Sequence, residues 1–448
     1  MARAGLPFFT RCGWCFTLKR ALGNPFGVRP FKGFFTADPF HLPFGALVIE
    51  TAISINRLMK TLNLTRFALL AAAALFSRAA FAAKPPPPPP SSGTVMLDYL
   101  YPGGAFAENF GLTVTPSGEV FASGTADVDN NNQWNGIVLG NGAARWGPLD
   151  NFGSAGYYTY GGVISSDAAG NLYTASVVFG GLVGESDRWI VRRSADGGAT
   201  WTTEDNFNQG FDFSGNTYPT GIAVDLSGNV YVAGQSYVPG NPAGTVRSVW
   251  TIRKGMAGVS FSTVDTVLDC TVNGLLVHPI AGIFAVGQLG ASWGVRRSTD
   301  GGATWSTIES FQLQSGLSSV AQAVGADNAG NIYVAGSGNV TTKGKTSRHW
   351  LIRKSSDGGN SWSTFDDFLS SGSNAEARRV ALTSNGDLYV AGYMDGQNIL
   401  RKRAAGTATW TTVDVYPFEA RGIAANASGN LFLGGMNAST GHWMIKKY

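Results

Sequence analysis

Two short stretches near the end of the chain combine acidic, basic and aromatic side chains. The first stretch contains Glu376, Arg378, Arg379 and Tyr393, and the second contains Glu419 and Arg421. Two carboxyl groups can hydrolyse a glycoside, one acting as acid and the other as base or nucleophile, and a tyrosine beside a glutamate is a variant nucleophile. No Ser–His–Asp spacing stands out among the four histidines. We therefore assign no catalytic residue and keep hydrolysis as the alternative.

A second set of aromatic and charged side chains suits the binding of a sugar or a peptide. Its members are Tyr158, Tyr160, Phe213, Tyr218, Tyr237, Arg348 and His349. The competing interpretation is that these are ordinary loop residues. The main expectation is a binding or scaffold module that needs no cofactor.

A unit that recurs seven times between Gly111 and Tyr448 must position these residues. Its first half ends on Gly124, Ser176, Gly234, Gly287, Gly336, Gly392 and Gly435, at intervals of 43 to 58 residues. Each unit contains short β-branched and aromatic runs around Gly- and Asn-rich turns, a pattern typical of two hairpins. The period predicts an all-β fold, a seven-bladed β-propeller of four-stranded antiparallel blades.

The ends of the repeated region indicate how the ring closes. The last unit stops after three strands, at Trp443–Tyr448. The segment Thr94–Tyr99 precedes the first unit and aligns with the fourth strand that begins at Trp410, so that Asp98 matches Asp414. We expect this N-terminal strand to complete the last blade, which leaves no unpaired terminal edge.

The second hairpin resembles the Asp-box, or BNR, repeat, which reads Ser-x-Asp-x-Gly-x-Thr-Trp. Three copies match well: Ser194, Asp196, Gly198 and Trp201; Ser298, Asp300, Gly302 and Trp305; and Ser355, Asp357, Gly359 and Trp362. The resemblance implies a propeller with the sialidase-like superfamily fold, in which the box is a structural turn remote from the ligand face. It does not imply a reaction, because family members share the fold and differ in activity.

Two kinds of charged residue also recur once per unit. The acids are Asp98, Asp150, Asp205, Asp265, Glu309, Asp366 and Asp414, and the bases are Arg192, Arg253, Arg296, Arg353, Arg401 and Lys446, with Ile137 in the first unit. We expect ion pairs with a nearby strand or blade. A row of tryptophans is expected to pack between blades rather than to bind sugars: Trp134, Trp189, Trp250, Trp293, Trp350 and Trp443.

The connections between strands fall into two sets on opposite ends of the ring. Turns within each hairpin are short and repeated, whereas connections from the second to the third strand and from blade to blade are long and vary. Variable loops on a rigid scaffold commonly carry binding residues. We therefore place the candidate ligand residues on the variable face.

The first 93 residues lie outside the repeats. Residues 59–83 have a basic start, a short apolar run and an Ala-x-Ala site, which predicts a signal peptide cleaved near Ala82. Residues 84–93 contain a proline-rich linker, residues 94–448 the propeller, and residues 1–58 a mis-placed start or a disordered extension. The expected location is secreted, periplasmic or at the cell surface.

Residues 84–448 carry 23 basic and 27 acidic side chains, a formal net charge of −4. This charge argues against nucleic-acid binding. We expect a monomer with no membrane span in the mature chain and an extracellular glycan or protein surface as partner. Asp127–Asn132 begins like a calcium loop but lacks the glycine and glutamate that such loops need, so no metal is assigned.

Overall fold

The computed structural model describes residues 93–100, 107–128, 134–141, 146–153, 158–179, 187–208, 218–240, 245–369 and 372–448. The predicted signal peptide, the N-terminal extension, nearly all of the linker and Phe213 lie outside this part of the chain. Within it, no helix is long and apolar enough to cross a membrane. The described residues form strands joined by turns, as an all-β fold requires.

The strands are numbered along the chain, and each blade is named by its order. Strand β1 spans Thr94–Tyr99. Blade 1 contains β2 (Ala107–Val114), β3 (Val120–Asp127), β4 (Trp134–Gly140) and β5 (Gly147–Phe152); blade 2 contains β6 (Tyr158–Ser166), β7 (Leu172–Phe179), β8 (Arg188–Ser194) and β9 (Thr202–Phe207); blade 3 contains β10 (Tyr218–Val224), β11 (Asn229–Pro239), β12 (Val246–Met256) and β13 (Val259–Leu268).

The remaining blades follow the same order. Blade 4 contains β14 (Cys270–His278), β15 (Gly282–Leu289), β16 (Ser292–Ser298) and β17 (Ser306–Phe311); blade 5 contains β18 (Ser319–Ala326), β19 (Ile332–Thr342), β20 (Lys345–Ser355) and β21 (Ser363–Phe368); blade 6 contains β22 (Ala375–Leu382), β23 (Leu388–Met394), β24 (Gln397–Arg403) and β25 (Trp410–Tyr416); blade 7 contains β26 (Glu419–Ala425), β27 (Leu431–Asn437), β28 (His442–Lys447) and β1.

The fold is a seven-bladed β-propeller, as predicted. Seven four-stranded antiparallel sheets are formed, and β1 pairs with β28 to complete blade 7. The first strand of each blade is innermost, because these strands contact one another in sequence around the ring and β26 contacts β2. The N-terminal strand therefore closes the ring onto the C-terminal blade.

Aspartate-capped turns fix the first hairpin of several blades. In blade 3 the Asp225 carboxylate accepts hydrogen bonds from the backbone N–H groups of Ser227 and Asn229, at 2.9 and 2.8 Å. Gly228 follows with a φ of +83°, which a residue with a Cβ rarely adopts. The sequence Asp-x-Ser-Gly-Asn thus specifies this tight turn through its own side chains.

The repeated tryptophans pack between blades, and glycines make room for them. Trp189, Trp250, Trp293, Trp350 and Trp443 are at most 1% exposed. A Cβ added to Gly336 would lie 2.6 Å from the Trp293 ring and 2.0 Å from a backbone oxygen. This glycine, in the middle of the second strand, therefore lets the indole of the preceding blade approach closely. In blade 1 the pairing register puts Gly136, not Trp134, at this position, so including Trp134 in the row was wrong.

Six of the recurring bases pair with the acid of the preceding blade. The pairs are Arg192–Asp150, Arg253–Asp205, Arg296–Asp265, Arg353–Glu309, Arg401–Asp366 and Lys446–Asp414. All are largely buried, and burial raises the pKa of Asp150, Glu309 and Asp366 against the opposing effect of their arginine partners. Arg253 and Arg353 also lie over phenylalanine rings of the preceding blade, at 4.1 and 3.9 Å.

The seventh interface, where the ring closes, is apolar. The register of β1 puts Leu97, not Asp98, at the acid position, and the register of β4 puts Leu139, not Ile137, at the base position. Both leucines are buried in one core cluster. Asp98 faces outward and contacts His442 at 2.6 Å. The predicted place of Asp98 was therefore off by one residue, which moves a side chain to the other sheet face, and that of Ile137 was off by two residues.

Candidate functional site

The side chains proposed to bind a ligand lie at one end of the propeller, here called the mouth face, where the inner strands begin. Antiparallel pairing brings the start of β22 beside the end of β23, so Glu376 lies opposite Tyr393. Short turns occupy the other end, the turn face. The prediction that these residues lie in loops was wrong, because the described ones belong to strands: Tyr158, Tyr160, Tyr218, Tyr237, Arg348, His349, Glu376, Arg378, Tyr393, Glu419 and Arg421.

Two long hairpins rise on the mouth face where loops were expected. The hairpin β11–β12 of blade 3 and the hairpin β19–β20 of blade 5 have strands of 11 residues each. Lys343 and Gly344 form the tip of the second hairpin with φ values of +52° and +76°, the geometry of a tight hairpin turn. Blade 4 between them has a short turn, so its end of the mouth is flanked by two raised walls.

Each inner strand carries a β-bulge at the mouth, and the bulge decides which side chains enter it. The register shifts once in every blade between the first and second halves of the strand. The extra residue is left unpaired and its side chain is re-aimed. The described bulge residues are Gly161 and Gly162, Thr220, Asn273, Gln322, Arg378 and Arg421.

The bulge side chains form a hydrogen-bonded belt around the mouth from blade 3 to blade 7. Thr220 donates to the Val272 carbonyl and Asn273 to the Ala321 carbonyl, both at 2.8 Å. Gln322 donates to Glu376 at 2.9 Å, and Arg378 donates to Glu419 at 2.7 Å. Each bulge therefore contacts the next blade, which holds the mouth residues in fixed positions.

Two cavities open at the mouth and share Asn273 and Gln322 in their walls. One, the tyrosine cavity, has a volume of about 320 Å³ and is lined on its other sides by Tyr160, Tyr218 and two arginines. It lies where the bulge residues of blade 2 are glycines. A Cβ on Gly161 would lie 1.6 Å from the Gly124 oxygen, so this close approach of two backbones requires glycine.

The second cavity, the amide cavity, has a volume of about 350 Å³ and a polar lining. Amide and hydroxyl groups come from Gln288, Ser318, Ser337 and Asn339, beside Arg348 and Glu376.

Aromatic packing fixes the wall of the tyrosine cavity. The rings of Tyr160 and Phe179, and those of Phe179 and Tyr218, pack edge to face with centroids 5.2 and 5.8 Å apart. The mouth thus offers one partly aromatic and one hydrogen-bonding compartment.

The two glutamates of the mouth are both ion-paired. Glu376 is 7% exposed and contacts Arg348 at 3.5 Å and Arg378 at 3.4 Å. Glu419 lies between Arg378 and Arg421, at 2.7 and 3.0 Å. The Arg378 guanidinium also lies 5.7 Å from the Tyr393 ring centroid. The arrangement holds both carboxyl groups near one guanidinium.

Arg379 is a large side chain at a position that is small in most blades. The equivalent residues, those that resume pairing after the bulge, are Gly111, Val163, Gly221, Gly274, Ala323 and Gly422. Arg379 donates to the backbone carbonyls of Arg421 and Arg378, at 2.6 and 2.7 Å. Burial, followed by the charges of Arg421 and Arg378, lowers the pKa of Arg379 to about 10 from the usual 12.5.

Not every predicted ligand residue joins this site. His349 contacts Asp367 at 2.7 Å on the outer strand of blade 5, Tyr158 is the first residue of β6 and Tyr237 lies on the blade 3 hairpin, and none of the three lines either cavity. The sequence-based site omitted Thr220, Asn273 and Gln322. The available signal was the variability of the residue before the position that opens each unit, which reads Thr220, Asn273 and Gln322 in three successive copies.

The Asp-box-like turns lie on the turn face, away from both cavities. In the first, Asp196 accepts hydrogen bonds from the Thr200 N–H and hydroxyl, at 2.8 and 2.6 Å, and Gly198 donates to Ser194 at 2.8 Å. The Trp201 indole donates to the Gly198 carbonyl at 3.0 Å. The turns that contain Asp300 and Asp357 repeat the carboxylate contacts. Their aspartates hold the turn together, and none of them lines either mouth cavity.

Comparison with known proteins agrees with the fold. A family model described as a β-propeller repeat matches residues 210–241. No curated protein matches the sequence.

Solved structures with a similar arrangement of strands come from proteins of different kinds. They include the Penicillium chrysogenum alpha-L-arabinanase, at 13% identity over 81% of this chain and 96% of that one, with a TM-score of 0.43. The β-propeller domain of Myceliophteria thermophila Cps50 (Swd1) is 10% identical over 79% and 99%, with a TM-score of 0.47. The Hadza microbial sialidase Hz136 is 13% identical over 77% and 66%, with a TM-score of 0.38. We draw no conclusion about activity from these similarities.

Proposed function

We propose that the chain is an exported Asp-box propeller that binds a glycan in its mouth without cleaving it. The observation that supports this most is the belt of bulge side chains, which presents amide, hydroxyl and charged groups to two adjoining cavities. Such groups match the hydroxyls of a sugar, and Tyr160 and Tyr218 offer rings for its apolar faces. Export follows from the predicted signal peptide at 59–83.

Hydrolysis is the second candidate, because Glu376 and Glu419 contact the same Arg378 guanidinium. Glycoside hydrolysis requires one carboxyl group that stays protonated, which an apolar pocket provides. Neither glutamate has that environment, since arginines contact both. The geometry therefore favours binding over turnover.

A glycan array followed by calorimetry tests this proposal. Gln322→Ala removes an amide shared by the two cavities, and we expect it to weaken binding of an array hit about three- to tenfold, the value of a single hydrogen bond. Leu226→Ala on the turn face is the control and should leave affinity unchanged. Equal affinity for wild type and Gln322→Ala would place the ligand elsewhere.

Turnover is tested in parallel with a panel of fluorogenic glycosides. We expect no release of the fluorophore above the blank. Release that is lost in both Glu376→Gln and Glu419→Gln would establish the hydrolase instead. Retained thermal midpoints show that these variants are folded.

A further inference from the structure

We propose that Ser347, His349 and Asp367 form a second site, on the two outer strands of blade 5, that hydrolyses esters of short-chain acids. The three side chains make a continuous hydrogen-bonded row, and neither mouth cavity includes them. The site is therefore separate from the mouth, and its activity is independent of glycan binding there.

The first feature is the set of contacts made by the His349 ring. Its Nδ1 lies 2.7 Å from Asp367 Oδ1, and its Nε2 lies 3.2 Å from the Ser347 hydroxyl. An ionised carboxylate only accepts hydrogen bonds, so Nδ1 carries the ring proton and Nε2 of the neutral ring can accept the serine proton. The Val340 carbonyl, a second acceptor for that hydroxyl, is farther away at 3.4 Å. These are the roles of nucleophile, base and orienting acid in acyl transfer, which are recognised by geometry and not by sequence order.

Strand pairing explains why these residues meet although the sequence showed no such spacing. Ser347 and His349 lie two residues apart on β20, so both project from the same sheet face. The register of β20 and β21 places Asp367 opposite Leu351, so the carboxylate projects from that face too. The row is therefore assembled by the sheet.

The second feature is the raised hairpin of blade 5, which supplies donors beside the serine. The Arg348 N–H donates to the Ser373 carbonyl at 2.9 Å at the outer edge of β20. N–H groups alternate between the two edges of a strand, so the Thr346 N–H also points to the outer edge, farther along the hairpin from β21. Lys345 is exposed and lies on the same sheet face as Ser347. An N–H group and an ammonium group thus stand near the oxyanion that forms when the serine attacks a carbonyl.

The third feature is a His–Asp pair in blade 7 that lacks the serine. His442 precedes Trp443 as His349 precedes Trp350, and its Nδ1 lies 2.6 Å from Asp98. Strand β28 begins at His442 itself, and no hydrogen bond found in the described residues joins this ring to a hydroxyl. The pair alone is therefore a recurring contact between outer strands, and the long hairpin of blade 5 adds a nucleophile to it.

The reaction consumes an ester and water and yields an acid and an alcohol. Ser347 Oγ bonds to the acyl carbon and passes its proton to His349 Nε2; the bond from the acyl carbon to the alcohol oxygen breaks, and the alcohol leaves with that proton. Water then attacks the acyl-serine with the same base, which releases the acid and restores the hydroxyl. The Asp367 side chain is 40% exposed, so the site is shallow and suits a small acyl group, such as acetyl, on an alcohol that stays in solvent.

The experiment measures turnover of methylumbelliferyl acetate by the purified protein and locates the nucleophile with a fluorophosphonate, whose fluoride is displaced by a reactive serine oxygen. We expect turnover above the blank and a label on Ser347, found by mass spectrometry of the digested protein. Ser347→Ala should abolish both, and His349→Ala should lower kcat about a hundredfold or more. Labelling of the wild type decides the question even if the variants fail to fold. A wild type without a label on Ser347, or turnover that survives Ser347→Ala, would overturn the proposal.

His442→Ala is the matched control for His349→Ala. Each variant breaks one His–Asp pair between outer strands, but only the His349 ring contacts a hydroxyl. We expect His442→Ala to leave kcat unchanged. Equal losses in the two variants would trace the effect to the loss of a strand contact and contradict the role of His349 as the base.

Asp367 is a positioning residue, because it acts through His349. Asp367→Asn should lower kcat and leave KM unchanged, since an amide no longer fixes the proton on Nδ1. Asp367→Glu should recover part of the lost rate. A rise in KM with kcat unchanged would show that Asp367 contacts the substrate instead of orienting the ring.

Discussion

At the scale of single residues, the conspicuous aspartates and the residues that line the mouth are different groups. Asp196, Asp300 and Asp357 recur in a recognisable motif, yet each closes a turn through hydrogen bonds to neighbouring groups. The residues that define the mouth are those that change from copy to copy. Arg379 is the clearest example, since a charged side chain stands where most blades have Gly or Ala.

The turn aspartates give a prediction about acid stability. Hydrogen bonds from Thr200 and Thr304 lower the pKa of Asp196 and Asp300 from 3.8 to about 2, and contacts with Ser361 lower the pKa of Asp357 further. A lowered pKa stabilises the fold above the unfolded-state value, and this contribution is lost as the pH falls through the folded-state value. The relevant window therefore runs from about pH 4 down to about pH 2.

We expect the triple variant Asp196→Asn, Asp300→Asn, Asp357→Asn to be less stable than wild type at pH 7 and to lose less stability between pH 4 and pH 2. Urea unfolding at stepped pH measures both. Glu119→Gln, at an exposed carboxylate in the first hairpin turn of blade 1 and outside these three turns, is the control. Parallel pH profiles for wild type and the triple variant would contradict the role given to the turns.

At the scale of strands, the sequence predicted the number of blades, the hairpins and the closing strand. The sequence-based alignment of the repeats gave the wrong register for β1 and β4. In β1, Asp98 was matched to the acids of the other units, although the alternation of buried and exposed positions places Leu97 there. It also missed the bulges. A bulge adds one residue without changing composition, so Asn273 and Gln322 enter the mouth with no signal beyond their variability.

The apolar seventh interface, where Leu97 and Leu139 replace the acid and the base, suggests a test of the six ion pairs between blades. We expect Arg353→Leu alone to destabilise the protein by about 3–5 kcal/mol, because Glu309 would remain buried and unpaired. The double variant Glu309→Leu, Arg353→Leu reproduces the pairing of Leu97 with Leu139 and should come within about 1 kcal/mol of wild type or exceed it. Chemical denaturation measures both. A double variant as unstable as the single one would show that the pair has a structural role that apolar packing cannot fill.

At the scale of the whole molecule, the propeller separates structure from recognition by face. Repeated turns, including the Asp-box-like ones, lie on the turn face, while bulges, raised hairpins and both cavities lie on the mouth face. Ring closure by β1 removes a terminal edge and holds the inner strands around the mouth. A rigid ring with a variable mouth suits a binding protein.

A crystal structure of the chain with a glycan-array hit tests the central claim most directly. The account predicts an intact glycan in the mouth, in contact with Asn273 and Gln322. A glycan on the turn face, or a cleaved product between Glu376 and Glu419, would contradict it.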